Sequence, residues 1–309
     1  MNRCPITYQE CSTRYSARGL RLLSPSLKEM VDLPYSAAEQ LHEAAARAAK
    51  MSVQGVQPKL SAVLLPAANG FVLVDSDGRY ILKPQHPAYP SLPENEALTM
   101  RLAALVGIEV PFHGLVWCVD GSLTYFVRRF DRRGRTQRVA VEDFGQLSGG
   151  KRSTKYDFSM EKLVKIIDAN CTFPMVDRLK LFRISLFCFL TGNEDMHIKN
   201  FSLLTDAGKV GLSPAYDLLN TTLVLPSGAE ELALPLRGKR RRITRADLLD
   251  YWASQRLELP PKAIATILDE FKRSLPAMVA LVELSFLNAK LREGYLAILR
   301  SRGEMLGLL

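Results

Sequence analysis

The chain changes character near its middle, and that change constrains its fold more than any other feature. Over the first half, apolar residues come in short runs broken by turn signals, at 60–65, 71–75 and 80–83, then at 114–118 and 124–130. Runs of that length bounded by Gly, Pro, Asp and Ser predict strands. Asp75-Ser76-Asp77-Gly78 predicts a hairpin-like turn between the second and third. Two helices are predicted among them. One spans 36–50, opened by the capping-box pattern Ser36-Ala37-Ala38-Glu39, and one spans 94–106, stopped by Gly107. Over the second half the periodicity is helical, at 159–169, 174–192, 245–256, 260–273 and 275–300. The expectation is an α+β, two-lobed architecture. A small mixed lobe occupies 1–145 and a larger helical lobe 146–309, with the boundary near Gly145, Gly149 and Gly150. A cleft between such lobes is a common place for a ligand.

At 309 residues, the chain is long enough for a sizeable core, and none of its apolar runs reaches the length of a membrane span. Met1-Asn2-Arg3-Cys4-Pro5 does not lead into the apolar stretch of a secretory signal, so a cytoplasmic protein with no membrane partner is expected. Cysteines 4, 11, 118, 171 and 188 are odd in number and scattered, which argues against a disulfide framework. A zinc site at Cys4 and Cys11 competes with plain packing, and packing is preferred. The net charge of +9 favours anionic partners without choosing among them. Its densest stretch, Arg237-Gly238-Lys239-Arg240-Arg241-Arg242, reads equally well as a solvated loop or a binding patch.

Phosphoryl transfer needs a cradle for phosphates, a cation on them, hard oxygen ligands for a metal, and a carboxylate at the attacking hydroxyl. Asp195 and Asn200, in Gly192-Asn193-Glu194-Asp195-Met196-His197-Ile198-Lys199-Asn200, have the D-x-x-x-x-N spacing of a kinase catalytic loop. In that reading Asp195 deprotonates the hydroxyl, Asn200 binds metal and Lys199 neutralises the transferring group. Alone, the spacing recurs by chance, with helix capping as the bland alternative. Asp217, in Pro214-Ala215-Tyr216-Asp217-Leu218, sits among apolar residues and reads as a second metal ligand or as a helix N-cap. Lys83 ends a predicted strand and is placed to reach ATP phosphates, or is a solvated strand-end lysine. Glu94 and Glu96 on the next helix are candidates to pair with it, Glu96 preferred. Ser52-Val53-Gln54-Gly55-Val56-Gln57-Pro58-Lys59 is neither G-x-G-x-x-G nor a Walker A motif; from its residues it is a loop with one glycine and one cation.

These segments together resemble the HipA family of bacterial serine/threonine kinase toxins. The resemblance is carried in order by residues 52–59, Ile81-Leu82-Lys83-Pro84, Pro93-Glu94-Asn95-Glu96, Arg129-Phe130-Asp131-Arg132, residues 192–201 and Tyr216-Asp217. It implies a two-lobed kinase fold using ATP and Mg²⁺ (Mg2+) on a protein serine or threonine. Carried over by position, Gln54, Gly55, Val56, Gln57 and Lys59 form the phosphate loop, and Lys83 binds phosphates. Glu142, Asp143 and Phe144 match the linker that contacts adenine. Asp195 and Lys199 are catalytic, His197, Asn200 and Tyr216 line the nucleotide site, and Asn200 and Asp217 hold the metal. Ser52 matches the family's autophosphorylated serine, with Gln54 where the short HipT type has a second serine.

The short N-terminal portion points to that HipT type, with a HipS-like protein supplying the missing subdomain. The family's reported targets imply an aminoacyl-tRNA synthetase as substrate, perhaps with its tRNA, and a HipB-like antitoxin that makes contact with DNA indirect. A kinase toxin acting on translation is therefore expected. A non-catalytic nucleotide-binding scaffold in an antitoxin–DNA complex and a small-molecule or lipid kinase are the alternatives.

Overall fold

A computed structural model of the protein describes residues 2–47, 57–134, 137–149, 158–224 and 230–309. The chain forms two compact units that interleave in sequence. One comprises Met1–Leu98, Pro111–Thr136 and Leu284–Asn288; the other comprises Thr99–Val110, Gln137–Glu283 and Ala289–Leu309. This departs from a single cut near residue 145, because a change in periodicity marks where composition changes and not which core a segment joins.

The first unit opens with the strands β1 (Asn2–Arg3) and β2 (Glu10–Cys11), helix α1 (Ala17–Leu23) and helix α2 (Ala37–Arg47). Its main sheet contains β3 (Leu60–Leu65), β4 (Gly70–Leu73), β5 (Tyr80–Lys83), β6 (His113–Trp117) and β7 (Leu123–Arg128), antiparallel in the order β4-β3-β5-β7-β6. Helix α3 (Leu92–Leu105) starts in this unit, and the short strand β8 (Arg132–Arg133) follows β7. Leu60, Ala62, Leu82, Val116 and Phe126 of the sheet bury their side chains with Leu20 and Leu23 of α1 and Ala44 of α2. The tight turn at 75–78 is not a hairpin: β4 and β5 both pair with β3, which lies between them. The turn runs close to β3, and a Cβ at Gly78 would lie 1.9 Å from Ser61 Oγ. Only glycine fits there.

The second unit holds β9 (Gln137–Arg138), β10 (Ala140–Asp143), α4 (Phe144–Leu147), α5 (Met160–Asn170), α6 (Pro174–Thr191), β11 (Ser202–Asp206) and β12 (Lys209–Leu212). A π-type helix over Asp247–Arg256, α7 (Pro261–Glu283) and α8 (Ala289–Leu306) complete it. Leu181, Phe182, Leu186, Phe187 and Leu190 make α6 buried nearly all round, as its sequence predicted, and α5 and α8 pack on it.

Two expectations are corrected here. The predicted break near residue 274 is absent, and α7 runs through Pro276. Its buried face, Ile267, Phe271, Leu275, Met278 and Val282, keeps helical spacing across the proline, so packing overrides one lost hydrogen bond. The half read as mainly helical also contains a sheet, β10-β11-β12, whose strands the periodicity did not mark. Its hairpin turns at Ala207 (φ 47°) and Gly208 (φ 76°), two positive φ values in succession that suit a two-residue hairpin.

Candidate functional site

In the first unit, β5 presents Lys83 and α3 presents Glu96. Lys83 Nζ lies 2.5 Å from Glu96 Oε1, with both side chains almost wholly out of water. Lys83 is cross-strand to Tyr125, and its ammonium sits 5.5 Å from that ring's centroid. This is a buried pair, not a solvated strand-end lysine, and Glu96 is the partner preferred from the sequence. Glu94 is half-buried, and its Oε2, shielded from solvent, has no hydrogen-bond partner among the described residues. Burial pushes its carboxyl up to about 7. Gln57, Pro58 and Lys59 lead directly into β3. Ser52, Gln54, Gly55 and Val56 lie outside the described residues.

The second unit builds the loop that carries Asp195. Gly192 ends α6 in the left-handed region at φ 71°, and its carbonyl accepts from Thr221 N at 2.9 Å and Thr222 N at 3.1 Å. The chain then closes on itself. Asp195 O accepts from His197 N at 2.8 Å and from Asn200 Nδ2 at 2.9 Å. The five-residue spacing read from the sequence is thus a physical closure, with a single 3₁₀ turn at Ile198–Asn200 bringing the carboxamide back. With its nitrogen held by the main chain, Asn200 has its Oδ1 as the atom to offer a hard cation.

Tyr216 bolts Asp217 to this loop. Its hydroxyl donates to Lys199 O at 3.0 Å and lies 2.5 Å from Ser202 Oγ. Burial raises its phenol above the ordinary range, so it is a neutral group at physiological pH. Asp217 itself takes a positive φ of 55°. Residues 218–224 form no helix, which removes the N-cap alternative. An amide oxygen and a carboxylate suit a Mg²⁺ ion that keeps its remaining positions for phosphate and water. Among the described residues there is no cluster of three or more His, Cys, Asp or Glu side chains that could hold a metal by itself.

The linker residues join the same sheet. Glu142 and Asp143 on β10 pair with Leu203 and Ser202 on β11, and Phe144 N donates to Phe201 O at 2.9 Å. Asp143 caps α4 through Gln146 N at 2.9 Å, while Glu142 is exposed. A Cβ on Gly145 would lie 3.2 Å from Lys199 Cγ, so the lysine stem lies against this linker. Asp143, Phe144, Lys199, Asn200 and Tyr216 are therefore gathered around the start of β11. The short range of the Asp195 loop was legible; Thr221, Thr222, Glu194 and Arg302, which hold it in place, were not. Arg302 bonds Glu194 from 108 residues away, and no local pattern announces such a contact.

A strand lysine paired with a helix glutamate, a D-x-x-x-x-N loop closed on itself and a later aspartate tied to that loop define a two-lobed, kinase-like protein. Residues 51–279 match the model of the HipA-like C-terminal domain, and the chain belongs to that family. A relative described as a "Putative kinase" from Haemophilus influenzae is 30% identical over 266 residues, covering 76% of this chain and 74% of its own. The "Serine/threonine-protein kinase toxin HipA" of Shewanella oneidensis is 31% identical over 193 residues, 56% of this chain and 44% of that one. The chain spans about half the length of three curated relatives, this one among them. Among solved structures, HipA in a Shewanella oneidensis complex of HipA, HipB and operator DNA matches with a TM-score of 0.70 at 23% identity, covering 91% of this chain and 73% of that one. At that identity the match speaks for the fold. No helix among the described residues is long and apolar enough to cross a membrane.

Proposed function

We propose that this chain is an ATP-dependent serine/threonine protein kinase acting as the toxin of a toxin–antitoxin system. One observation carries the reading: the buried Lys83–Glu96 pair at 2.5 Å, which reproduces the strand-lysine and helix-glutamate pair that kinases use to hold ATP phosphates. Desolvating both charges costs energy that their mutual attraction offsets only in good geometry, so the pair is weak evidence for stability and fits a role in binding phosphate.

In this mechanism Glu96 orients the Lys83 ammonium toward the α- and β-phosphates. Gln54, Gly55, Val56, Gln57 and Lys59 wrap the phosphates, and Glu142, Asp143 and Phe144 border the adenine. His197 lines the nucleotide site with Tyr216. Asp195 accepts the proton of the acceptor hydroxyl, and Lys199 faces the negative charge on the group in flight. A Mg²⁺ ion held by Asn200 and Asp217 would neutralise charge on the phosphate oxygens. Phosphorylation of Ser52 places a dianion beside the phosphate loop and switches the enzyme off.

The HipA and HipA–HipB–DNA likenesses support a HipB-like antitoxin as partner, with DNA reached through it. An aminoacyl-tRNA synthetase or another translation factor is the proposed substrate, and a net charge of +9 suits an enzyme bound to tRNA. The test is transfer of label from ATP to protein in a cell lysate, run beside Asp195→Ala. Labelled protein with the intact chain and none with the variant is expected. Absence of transfer to protein would overturn the reading, and label in lipid or metabolite would redirect it. Ser52→Ala is expected to stay active longer; a dead Ser52→Ala would contradict the switch.

A further inference from the structure

The side chain beside the catalytic aspartate is held by a group far away in sequence. Glu194 Oε1 accepts from Thr222 Oγ1 at 2.8 Å and from Arg302 Nη2 at 3.1 Å. Arg302, on α8, donates its other terminal nitrogen to Phe189 O at 2.7 Å, one of the last carbonyls of α6, and its guanidinium lies 5.0 Å over the Phe189 ring. Glu194 and Arg302 each keep only 14% of their side chains exposed. The main chain is gripped at the same place, where Glu194 N donates to Thr221 Oγ1 at 2.7 Å. Gly192, just before it, has no room for a side chain, since a Cβ would lie 2.8 Å from Thr222 Oγ1.

We infer that Arg302 is a positioning residue for Asp195: by bridging the end of α6 to Glu194, it fixes where the loop leaves its helix and hence where the Asp195 carboxylate stands. The inference rests on the kinase reading of Asp195. The geometry demands an arginine. One planar fork spans a carbonyl and a carboxylate at once, whereas a lysine places one point charge on one of them. The carboxylate has its own reason to be there, because it receives the Thr222 hydroxyl and so ties the loop to the segment that follows Asp217. Removing either partner leaves the other partly buried and unneutralised.

The test compares Arg302→Gln, Arg302→Lys and Glu194→Gln in the whole protein, with Arg178→Gln as control. Arg178 bridges Asp168 and Glu258 in the same unit, away from the loop. For Arg302→Gln, kcat is expected to fall roughly 10²-fold with KM for ATP nearly unchanged, the scale of a displacement of about 1 Å in a reacting group. Arg302→Lys should recover only part of this, and the Glu194→Gln, Arg302→Gln double variant should be no worse than the single ones. Amide hydrogen exchange over 193–200 should quicken about tenfold or more in Arg302→Gln while α6 amides hold their protection, and Arg178→Gln should leave the loop amides unchanged. Unchanged loop exchange, or a fall in melting temperature with kcat intact, would overturn the inference. A wild-type chain that transfers no phosphate would sink the kinase reading, and the exchange measurement would still decide whether Arg302 orders the loop.

Discussion

Lys83 and Glu96 stand 2.5 Å apart, one ending a central strand and the other in the first turns of α3, with 2% and 1% of their side chains exposed. Removing one member of such a pair leaves a buried charge behind, which typically costs about 3–5 kcal/mol. Lys83→Met is expected to lower the melting temperature and to reduce phosphotransfer on the order of 10²–10³-fold, the scale of deleting one preorganised electrostatic contact. The Lys83→Met, Glu96→Leu double variant should regain stability over the single variants without regaining activity. Thermal melts and initial rates on the same preparations check both parts.

Glu94 carries a pH signature of its own. Its carboxyl titrates at about 7 in the folded chain, raised by burial from an ordinary 4.5. Between those values the folded state holds a proton that the unfolded state has lost, so stability falls as pH rises through this window and levels off above about 7. Glu94→Gln removes that loss. Its stability advantage should grow from pH 5 to pH 8, reaching at most about 3 kcal/mol. Denaturant midpoints across this range test it; a constant difference between the two proteins would contradict it.

Asp217 tests the metal assignment directly. Asp217→Ala should weaken ATP binding in the presence of Mg²⁺ by roughly 10–100-fold, the usual effect of disturbing a metal's ligand environment. Binding without Mg²⁺ should change little. Titration calorimetry with and without the ion separates the two. An equal loss in both conditions would mean that Asp217 acts on the fold and not on a cation.

Gly192 is the hinge on which the Asp195 loop turns. Gly192→Ala places a methyl 2.8 Å from Thr222 Oγ1 and 2.9 Å from Asn220 Oδ1, at a φ of 71°. A loss of about 1–3 kcal/mol is expected from the strained backbone and the displaced neighbours. Activity should fall with it, because the loop leaves α6 at this residue. A variant with wild-type melting temperature and rate would show that the loop tolerates another exit.

How much of this was legible in the chain follows from the range of the interactions involved. Short apolar runs, a capping-box start and glycine stops are local, and they marked the five main strands, α2, α3 and α6 to within a few residues. The D-x-x-x-x-N spacing is local as well, and it closes through one short turn between Asp195 and Asn200. The Lys83–Glu96 pair was legible as far as type and neighbourhood go, because a strand end and the next helix are thirteen residues apart.

Other features depended on which surfaces meet. Pairing order cannot be read from strand runs, so the 75–78 turn resembled a hairpin until β3 was found between its arms. A proline argues for a helix end, but the shared buried face of α7 carries the helix through Pro276. The grip on Asp195 is the clearest case. Glu194 and Arg302 are unremarkable surface-type residues along the chain, and only the packing of α8 on α6 brings the guanidinium to the loop. Propensity and spacing act over a few residues, whereas burial and charge pairing act through space. Local order is therefore written in the chain itself, and the setting of the proposed catalytic carboxylate is settled only when distant helices close around it.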